Sequence, residues 1–218
     1  MKQLLVLSGK GGTGKTTVSS ALISLSKAHA FADCDVDAPN LHIVTKNDFK
    51  PSVTDYCGLP KACIDVNKCI NCGLCEKYCR FDAIHNCIVN TAECEGCAVC
   101  FEVCPQNAVQ MQDLPSGELM LYNNNTILST AKLKTGNGAS GKLVTAVKKQ
   151  LSENADSSDF AVIDGSPGIG CPVIASISGV SMVLIVAEPT VSGIHDMKRI
   201  TETIKKFGTK CCVCINKY

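Results

Sequence analysis

The sequence predicts an α/β fold in which a mostly parallel β-sheet is flanked by helices. One observation is the short apolar run from Leu4 to Leu7, which is followed by glycines and then by a helical pattern. A continuous apolar run of this length is typical of a strand buried on both faces. The other observation is that apolar runs and helical patterns alternate again from Phe160 onwards. Such alternation indicates a parallel sheet covered by helices.

Each element has its own signal along the chain. We expect a helix from about Lys15 to Ala28, with Val18, Leu22 and Leu25 on one face, and a strand that ends at Phe31–Asp35. Further strands are expected at residues 118–122, 126–133, 160–164, 182–187 and 211–215, and further helices at 140–152, 172–178 and 194–207.

The composition changes between residues 56 and 113, where the chain becomes rich in cysteine and has few other residues that could form a core. We therefore expect an inserted domain at 56–113. Residues 1–55 and 114–218 would then form one discontinuous domain around it.

Composition also limits the possible partners and compartments. The chain has 218 residues, 45% of them hydrophobic, and a formal net charge of +1. No nucleic-acid partner is expected, because binding a phosphate backbone requires a basic face. The opening apolar run is too short for a signal sequence or a membrane span. We therefore expect a cytoplasmic chain without a membrane segment, whose sixteen cysteines bind metal or serve as small core residues.

Two cysteine runs repeat each other 25 residues apart. The first contains Cys69, Cys72, Cys75 and Cys79, and the second contains Cys94, Cys97, Cys100 and Cys104. This is the spacing of bacterial iron–sulfur ligation, in which the fourth cysteine of each run ligates the cluster of the other run. The expected ligand sets are Cys69, Cys72, Cys75 and Cys104 for one cluster and Cys94, Cys97, Cys100 and Cys79 for the other. The inserted segment is thus predicted to be a ferredoxin-like α+β domain with two 4Fe-4S clusters.

Two alternatives remain open for this segment. Paired cysteines can also form zinc sites, although three closely spaced cysteines, twice, are hard to arrange around single ions. The clusters could also be structural only, because so small a domain often needs a metal to fold.

Arg80 stands where a proline is expected after the first run. Most of the other eight cysteines are expected to be small buried residues. They are Cys34, Cys57, Cys63, Cys87, Cys171, Cys211, Cys212 and Cys214.

A phosphate-binding loop follows the first strand. Residues 9–16 fit the pattern G-x4-G-K-[ST] between a strand and a helix, which is the context that the motif requires. The expected nucleotide-binding residues are Gly9, Gly11, Gly12, Thr13, Gly14, Lys15, Thr16 and Thr17. Lys15 would reach the β- and γ-phosphates, and the Thr16 hydroxyl would ligate Mg²⁺. A second match at 136–142 lacks the hydroxyl residue after Lys142, so we expect only a loop at a helix start.

Lys10 makes the first loop a deviant Walker A motif, and here the chain resembles the MinD/ParA/Mrp-like P-loop ATPases. The resemblance is closest to members of that superfamily that carry an inserted ferredoxin domain. The matching stretches lie in the family's order along nearly the whole chain. They are residues 9–16, 33–40, the two cysteine runs, 164–172, 188–196 and 216–218.

The resemblance implies roles for individual residues. Lys10 would cross a homodimer interface and contact the nucleotide of the partner subunit. Asp35 would lie near the attacking water, although the residues alone do not choose among Asp33, Asp35 and Asp37. Asp164 would hold Mg²⁺ through water, and Asn216 would recognise adenine.

The expected function is that of an ATPase whose nucleotide state controls electron transfer through the two clusters. ATP or ADP, Mg²⁺ and two 4Fe-4S clusters are the expected cofactors, and an ATP-dependent homodimer is expected. The partner would be a redox client that the sequence does not name. The alternative is an iron–sulfur carrier of the Mrp-like kind, which would hand clusters to an apo-protein client.

Overall fold

The structure is a computed structural model that describes residues 1–47, 49–134, 138, 140–155 and 158–218. The chain divides into two compact units. The first, here called the sheet unit, contains Met1–Thr54, Glu118–Leu133 and Ser140–Tyr218. The second, here called the cysteine unit, contains Asp55–Gly117 and Lys134–Ala139. Both predicted cysteine runs lie in the cysteine unit, and the predicted phosphate loop lies in the sheet unit.

Strands and helices alternate through the sheet unit, and the cysteine unit is made of short elements. The strands are β1 (Lys2–Ser8), β2 (Ala30–Asp33), β3 (Ser52–Cys57), β4 (Lys61–Ile64), β5 (Ile84–His85), β6 (Ile88–Val89), β7 (Val109–Gln112), β8 (Pro115–Asn123), β9 (Ile127–Leu133), β10 (Phe160–Pro167), β11 (Met182–Ala187) and β12 (Lys210–Ile215). The helices are α1 (Lys15–Ser26), α2 (Leu41–Val44), α3 (Leu74–Lys77), α4 (Val99–Glu102), α5 (Ser140–Asn154), α6 (Cys171–Ile177) and α7 (Val191–Lys206).

The main sheet has the strand order β12-β11-β1-β10-β2-β9-β8-β3. Strand β1 lies at its centre and pairs in parallel with both β10 and β11. Strands β2 and β9 continue the parallel arrangement beyond β10, and β12 continues it beyond β11. The carboxyl ends of these strands therefore share one edge of the sheet, which is where open α/β folds bind ligands. The predicted α/β class with a mostly parallel sheet is confirmed.

Helix α5 covers the sheet with the face that its apolar spacing predicts. Leu143, Val147 and Leu151 are all fully buried on this helix, which packs against α6 and β9. For α1 the expected face is wrong in part. Leu25 is 82% exposed, whereas Ser19 and Ile23 are buried. The helix is turned so that the Ser19 hydroxyl reaches a buried carboxylate on β10, and this polar contact decides which face is covered.

The cysteine unit has a small core. Its buried apolar residues are Ala62, Ala83, Ile84 and Val109, packed together with Cys75, Cys94 and Cys100. Strands β4 and β7 pair antiparallel, and β5 and β6 form a second, shorter antiparallel pair. A core this small buries little apolar surface, and domains of this size are often stabilised by metal or disulfides.

The remaining cysteines are mostly not buried, so that expectation is wrong. Of the eight outside the two runs, only Cys34 is buried. Cys57, Cys63, Cys171 and Cys212 are exposed, and Cys87, Cys211 and Cys214 are half-buried. The physical reason is that three of these residues lie on β12 and one on β3, which are the two edge strands of the sheet.

Two further expectations concern the periphery of the fold. The second G-x4-G-K match falls partly on residues 136, 137 and 139, which lie outside the described part of the chain. Ser140 begins α5, directly after them. Among the described helices, none combines the length and apolar character needed to cross a membrane.

Gly165 provides a test of the packing at the centre of the sheet. A Cβ atom at this position would lie 2.4 Å from Leu7 Cδ2 and 3.0 Å from the backbone oxygen of Val6. Because the backbone of β1 cannot move aside, we expect Gly165→Ala to reduce the free energy of unfolding by about 1–3 kcal/mol. Gly170→Ala is the control, since its nearest atom would be Pro172 Cδ at 3.6 Å. Urea unfolding followed by circular dichroism measures both; equal stability of the two variants would contradict this packing.

Candidate functional site

The phosphate loop joins β1 to α1, as its motif predicts. Gly12 and Gly14 both have left-handed backbone conformations, with φ of 79° and 89°. A Cβ atom on Gly14 would also lie 2.3 Å from Asn216 Nδ2, so no larger residue fits there. Helix α1 is 12 residues long, and its free N–H groups and dipole face the loop. The loop therefore has the backbone conformation and the helix terminus of an anion-binding site.

Asp164 is the centre of the polar contacts behind this loop. Its side chain is fully buried on β10, three residues before that strand ends at Pro167. Lys15 Nζ lies 2.8 Å from its Oδ1. The Thr16 hydroxyl donates to its Oδ2 at 2.8 Å, and the Ser19 hydroxyl donates to its Oδ1 at 2.7 Å. The structure thus brings together three residues that the sequence predicted and one, Ser19, that it did not.

The Thr16 and Asp164 oxygens also suit a magnesium ion. Mg²⁺ takes oxygen ligands and is usually held by one or two protein groups together with the phosphates of a nucleotide. A hydroxyl and a carboxylate that lie 2.8 Å apart beside an anion-binding loop are such a pair. Ser19 could have been found from its spacing, because it lies four residues after Lys15 on the same helix face.

The three aspartates after β2 differ in their surroundings. Asp33 is fully buried and accepts hydrogen bonds from the backbone N–H groups of Asp35, Asn40 and Leu41. Burial, followed by the nearby Asp164 carboxylate, raises the pKa of Asp33 to about 6. Asp37 is exposed and Asp35 is half-buried. Asp33 therefore braces the loop that carries Asp35, a role that the sequence did not indicate.

Asp35, like Asp33, lies within the electrostatic influence of Lys15. Burial raises the pKa of its carboxyl, while the positive charge of Lys15 lowers it. This balance places Asp35 within the electrostatic reach of the phosphate-loop lysine.

Glu188 links the phosphate loop to the segment that follows β12. Its Oε2 lies 2.8 Å from Lys10 Nζ, and its Oε1 lies 2.7 Å from Lys217 Nζ. Hydrogen bonds from these two lysines lower the pKa of Glu188 to about 2. Asn216 Nδ2 donates to the backbone oxygen of Thr13 at 2.8 Å. Lys10 and Asn216 are therefore both held at the loop, by contacts within their own chain.

Two cavities in the cysteine unit are lined by the predicted ligand sets. The thiols of the first are Cys69, Cys72, Cys75, Cys104 and, in addition, Cys87. The thiols of the second are Cys79, Cys94, Cys97 and Cys100. In each cavity three thiols come from one run and the fourth from the other. The binding of two iron–sulfur clusters by these thiols stays a prediction.

The backbone around the two cavities repeats with the same 25-residue period. Helices α3 and α4 begin at Leu74 and Val99. Left-handed residues occur in matching pairs, namely Asn71 and Gly96, Gly73 and Ala98, and Asp82 and Asn107. The fourth cysteine of each run accepts a backbone N–H. Ala83 donates to Cys79 Sγ at 3.4 Å, and Ala108 donates to Cys104 Sγ at 3.3 Å. The duplication in the sequence is thus also a duplication of local structure.

The spacing of the thiols is relevant to the choice of metal. Within the described part of the chain, no group of three or more His, Cys, Asp or Glu side chains could hold a single metal ion. A tetrahedral zinc site requires sulfurs at about 2.3 Å from one ion. A cluster instead holds its four cysteines apart on separate iron atoms. The predicted iron–sulfur clusters and the zinc alternative therefore both stay predictions.

The sequence did not indicate a role for Lys61, which is a buried residue near the second cavity. Its side chain is only 6% exposed, and its Nζ donates to the backbone oxygen of Cys94. A buried ammonium group needs such an acceptor. Lys61 thereby ties β4 to the start of the second cysteine run.

The raised pKa of Asp33 predicts that its contribution to folding stability falls as the pH rises, which is the opposite of the usual behaviour of a carboxyl group. A folded-state pKa near 6 lies above the value near 4 of an unfolded chain, so the folded state holds this proton more tightly. The contribution of Asp33 to stability is therefore fully present below about pH 4 and is lost as the pH rises through 6. We expect the Asp33 carboxyl carbon to titrate with a midpoint near pH 6 in NMR of the protein without added nucleotide. Asp33→Asn assigns the resonance, and a midpoint near pH 4 would contradict the burial described here.

Comparison with known proteins agrees with this geometry. The model of the CobQ/CobB/MinD/ParA nucleotide binding domain matches residues 4–218. An uncharacterized protein of Methanocaldococcus jannaschii is 33% identical over 220 residues, covering 99% of this chain and 78% of its own. A second uncharacterized protein of that organism is 28% identical, covering 100% of this chain and 81% of its own.

Solved structures show the same fold. The septum site-determining protein MinD of Pyrococcus horikoshii, complexed with Mg-ADP, matches 100% of this chain and 70% of its own with a TM-score of 0.53 at 21% identity. The cell division ATPase MinD of Pyrococcus furiosus matches with a TM-score of 0.52 at 20% identity, over 100% of this chain and 72% of its own. The phosphate loop, the parallel sheet and the family match together show that the chain belongs to the CobQ/CobB/MinD/ParA family of P-loop nucleotide-binding proteins.

Proposed function

We propose that this protein is an ATPase in which the nucleotide state controls two 4Fe-4S clusters held by the cysteine unit. The observation that carries the proposal is that each of the two thiol cavities is lined by one complete crossed ligand set. A phosphate loop with its lysine, hydroxyl and buried carboxylate occurs in the same chain. Nucleotide binding by the sheet unit, here called the nucleotide half, and cluster binding by the cysteine unit, here called the cysteine half, are separate properties, since either could exist without the other.

The nucleotide half uses residues that already contact each other. In the proposed complex Lys15 exchanges part of its ion pair with Asp164 for the β- and γ-phosphates. Thr16 and Asp164 hold Mg²⁺, and Ser19 keeps the Asp164 carboxylate oriented through its hydrogen bond. Asp35, on the loop braced by Asp33, positions the attacking water. Asn216, which lies against the loop, faces the adenine.

Dimer formation would require Lys10 to change partners. In this structure its ammonium group pairs with Glu188 of the same chain, and the side chain is 37% exposed. Because the Lys10 side chain is partly open to solvent, the phosphates of a nucleotide bound by the partner subunit can compete for it. In the proposed cycle ATP draws two subunits together, and hydrolysis releases them.

The cysteine half holds the proposed clusters and sets their surroundings. When bound, the clusters would supply reversible one-electron transfer. The chain contributes eight thiols as ligands and two N–H···S hydrogen bonds, from Ala83 and Ala108. Hydrogen bonds to sulfur and the degree of solvent exposure are two of the means by which a protein adjusts a cluster potential. Because both units belong to one chain, we propose that nucleotide binding gates electron transfer to a client protein.

Cluster transfer is the second candidate function, and one observation favours keeping it. Cys72 in the first set and Cys97 in the second are exposed, at equivalent positions of the repeat. An exposed ligand gives the thiol of another protein access to the cluster, which transfer to an apo-protein requires. The two functions differ in one measurable respect. Clusters of a carrier move to an apo-ferredoxin acceptor, whereas clusters of an electron-transfer protein stay bound through repeated reduction and oxidation.

The two halves are tested by anaerobic purification with iron, sulfide and ATPase measurements. We expect about eight iron atoms and eight sulfides per chain, as two 4Fe-4S clusters require. Lys15→Ala should lower ATP turnover at least about 100-fold, because a phosphate-stabilising cation is lost, and should leave the iron content unchanged. Lys15→Arg keeps a charge beside Asp164 and controls for folding.

Lys142→Ala is the matched control for these variants, because Lys142 lies in the incomplete second match to the same motif. It should leave turnover unchanged. A folded wild-type protein that is colourless and free of iron would contradict the cluster half. Full ATPase activity in both Lys15 variants would contradict the nucleotide half.

A further inference from the structure

Lys61 carries a buried positive charge beside the second thiol cavity. The residue is only 6% exposed, and its ammonium group donates to the backbone oxygen of Cys94, which begins the second cysteine run. Among the described residues, Lys61 forms no ion pair with a carboxylate. Removing a charge from water is costly unless an opposite charge compensates it, and one carbonyl dipole does so only in part. An anionic neighbour other than a carboxylate would therefore stabilise this ammonium group.

The segment that carries Lys61 packs closely against the second cysteine run. A Cβ atom on Gly96 would lie 2.5 Å from the backbone oxygen of Pro60, so the two backbones are in direct contact. In strand β4, Ala62 is paired with Met111 of β7, and Met111 lines the second cavity. These contacts hold the Lys61 backbone next to the wall of that cavity.

Within the described part of the chain, the internal repeat does not duplicate this feature. Asn71 is the counterpart of Gly96 in the first run, and it has a side chain where Gly96 leaves room for Pro60. Lys68 directly precedes the first run, but its side chain is 56% exposed and its Nζ lies 3.8 Å from Asp65 Oδ2. The two thiol sets are therefore alike in their spacing, and the charge beside them differs.

Glu95 opposes the charge of Lys61 at the second cavity. It lines this cavity, but the residue is exposed, so solvent and salt screen its charge. The interactions of the buried Lys61 ammonium group are screened much less. We therefore expect the buried positive charge to have the larger effect on a group that is bound there.

We propose that Lys61 supplies the compensating charge for the second cluster and thereby raises the reduction potential of that cluster. This inference rests on the proposed iron–sulfur function. Net charge is one of the properties that set the potential of a cluster. Reduction adds one electron from a reductant such as dithionite, and no bond to iron breaks. Because the added electron makes the cluster more negative, a nearby cation stabilises the reduced form more than the oxidised form.

Three variants separate the charge of Lys61 from its hydrogen bond. Lys61→Gln can still donate an N–H to the Cys94 oxygen, Lys61→Met cannot, and Lys61→Arg keeps the charge. Each full-length variant is reconstituted anaerobically, analysed for iron and titrated with dithionite while the EPR spectrum is recorded. We expect Lys61→Gln and Lys61→Met to hold about eight iron atoms per chain and to lower one of the two cluster potentials. Lys61→Arg and the exposed control Lys68→Met should leave both potentials unchanged.

Ligand variants assign the shift to one cluster. Cys97→Ala removes an exposed ligand of the second set, and Cys72→Ala removes the equivalent ligand of the first set. When combined with Cys97→Ala, Lys61→Gln should no longer shift the potential of the remaining 4Fe-4S cluster. When combined with Cys72→Ala, the shift should persist.

Lys61→Gln that holds about eight iron atoms with both potentials unchanged would overturn the inference, while wild type with about eight iron atoms leaves the proposed function intact. Loss of iron from Lys61→Gln and Lys61→Arg alike would also overturn it, because the charge would then not be the decisive property. Loss from Lys61→Gln with retention by Lys61→Arg would support it. Wild type without iron would overturn both proposals, so the two failures are distinguishable.

Discussion

The buried carboxylate of Asp164 is the contact on which the nucleotide site depends. It lies on β10, a parallel strand inside the sheet, with no exposed surface, and it is balanced by one ammonium group and two hydroxyls from α1. A buried carboxylate without a partner would be strongly destabilising, whereas a paired one fixes the positions of its partners. The Asp164 backbone oxygen also accepts the N–H of Cys34 at 2.7 Å. The same residue thus joins the phosphate loop to the loop that carries Asp35.

The cysteine unit is organised on a different principle. Its apolar core is small, and three of the buried residues in that core are cysteines that also belong to the predicted ligand sets. We infer that the proposed clusters would contribute to both folding and chemistry, since the same thiols serve both. The backbone supports this by repeating its turns and N–H···S bonds around both cavities.

The sequence was sufficient where a motif has strict local spacing. The phosphate loop, the strand that carries Asp164 and the α5 face could be predicted, because each depends on residues close together in the chain. The spacing of Ser19 from Lys15 indicates its helix face, but its partner Asp164 lies 145 positions away and does not follow from that spacing. Glu188 could not be assigned, because its role comes from a contact with Lys10, 178 positions away. The buried state of Asp33 depends on backbone N–H groups of a later turn. The additional thiol of Cys87 became evident only when the structure placed it in a cavity with the ligand set.

The central claim is that the ATPase and the cluster unit influence each other, and one titration tests it most directly. The anaerobically reduced protein is titrated with ATP and Mg²⁺ while the cluster potential, the EPR spectrum and the oligomeric state are recorded. The account predicts a shift in potential and in EPR signal that accompanies dimer formation, and the absence of both changes in Lys15→Arg. Dimer formation with unchanged potential and spectrum, or no response of any of the three, would contradict it.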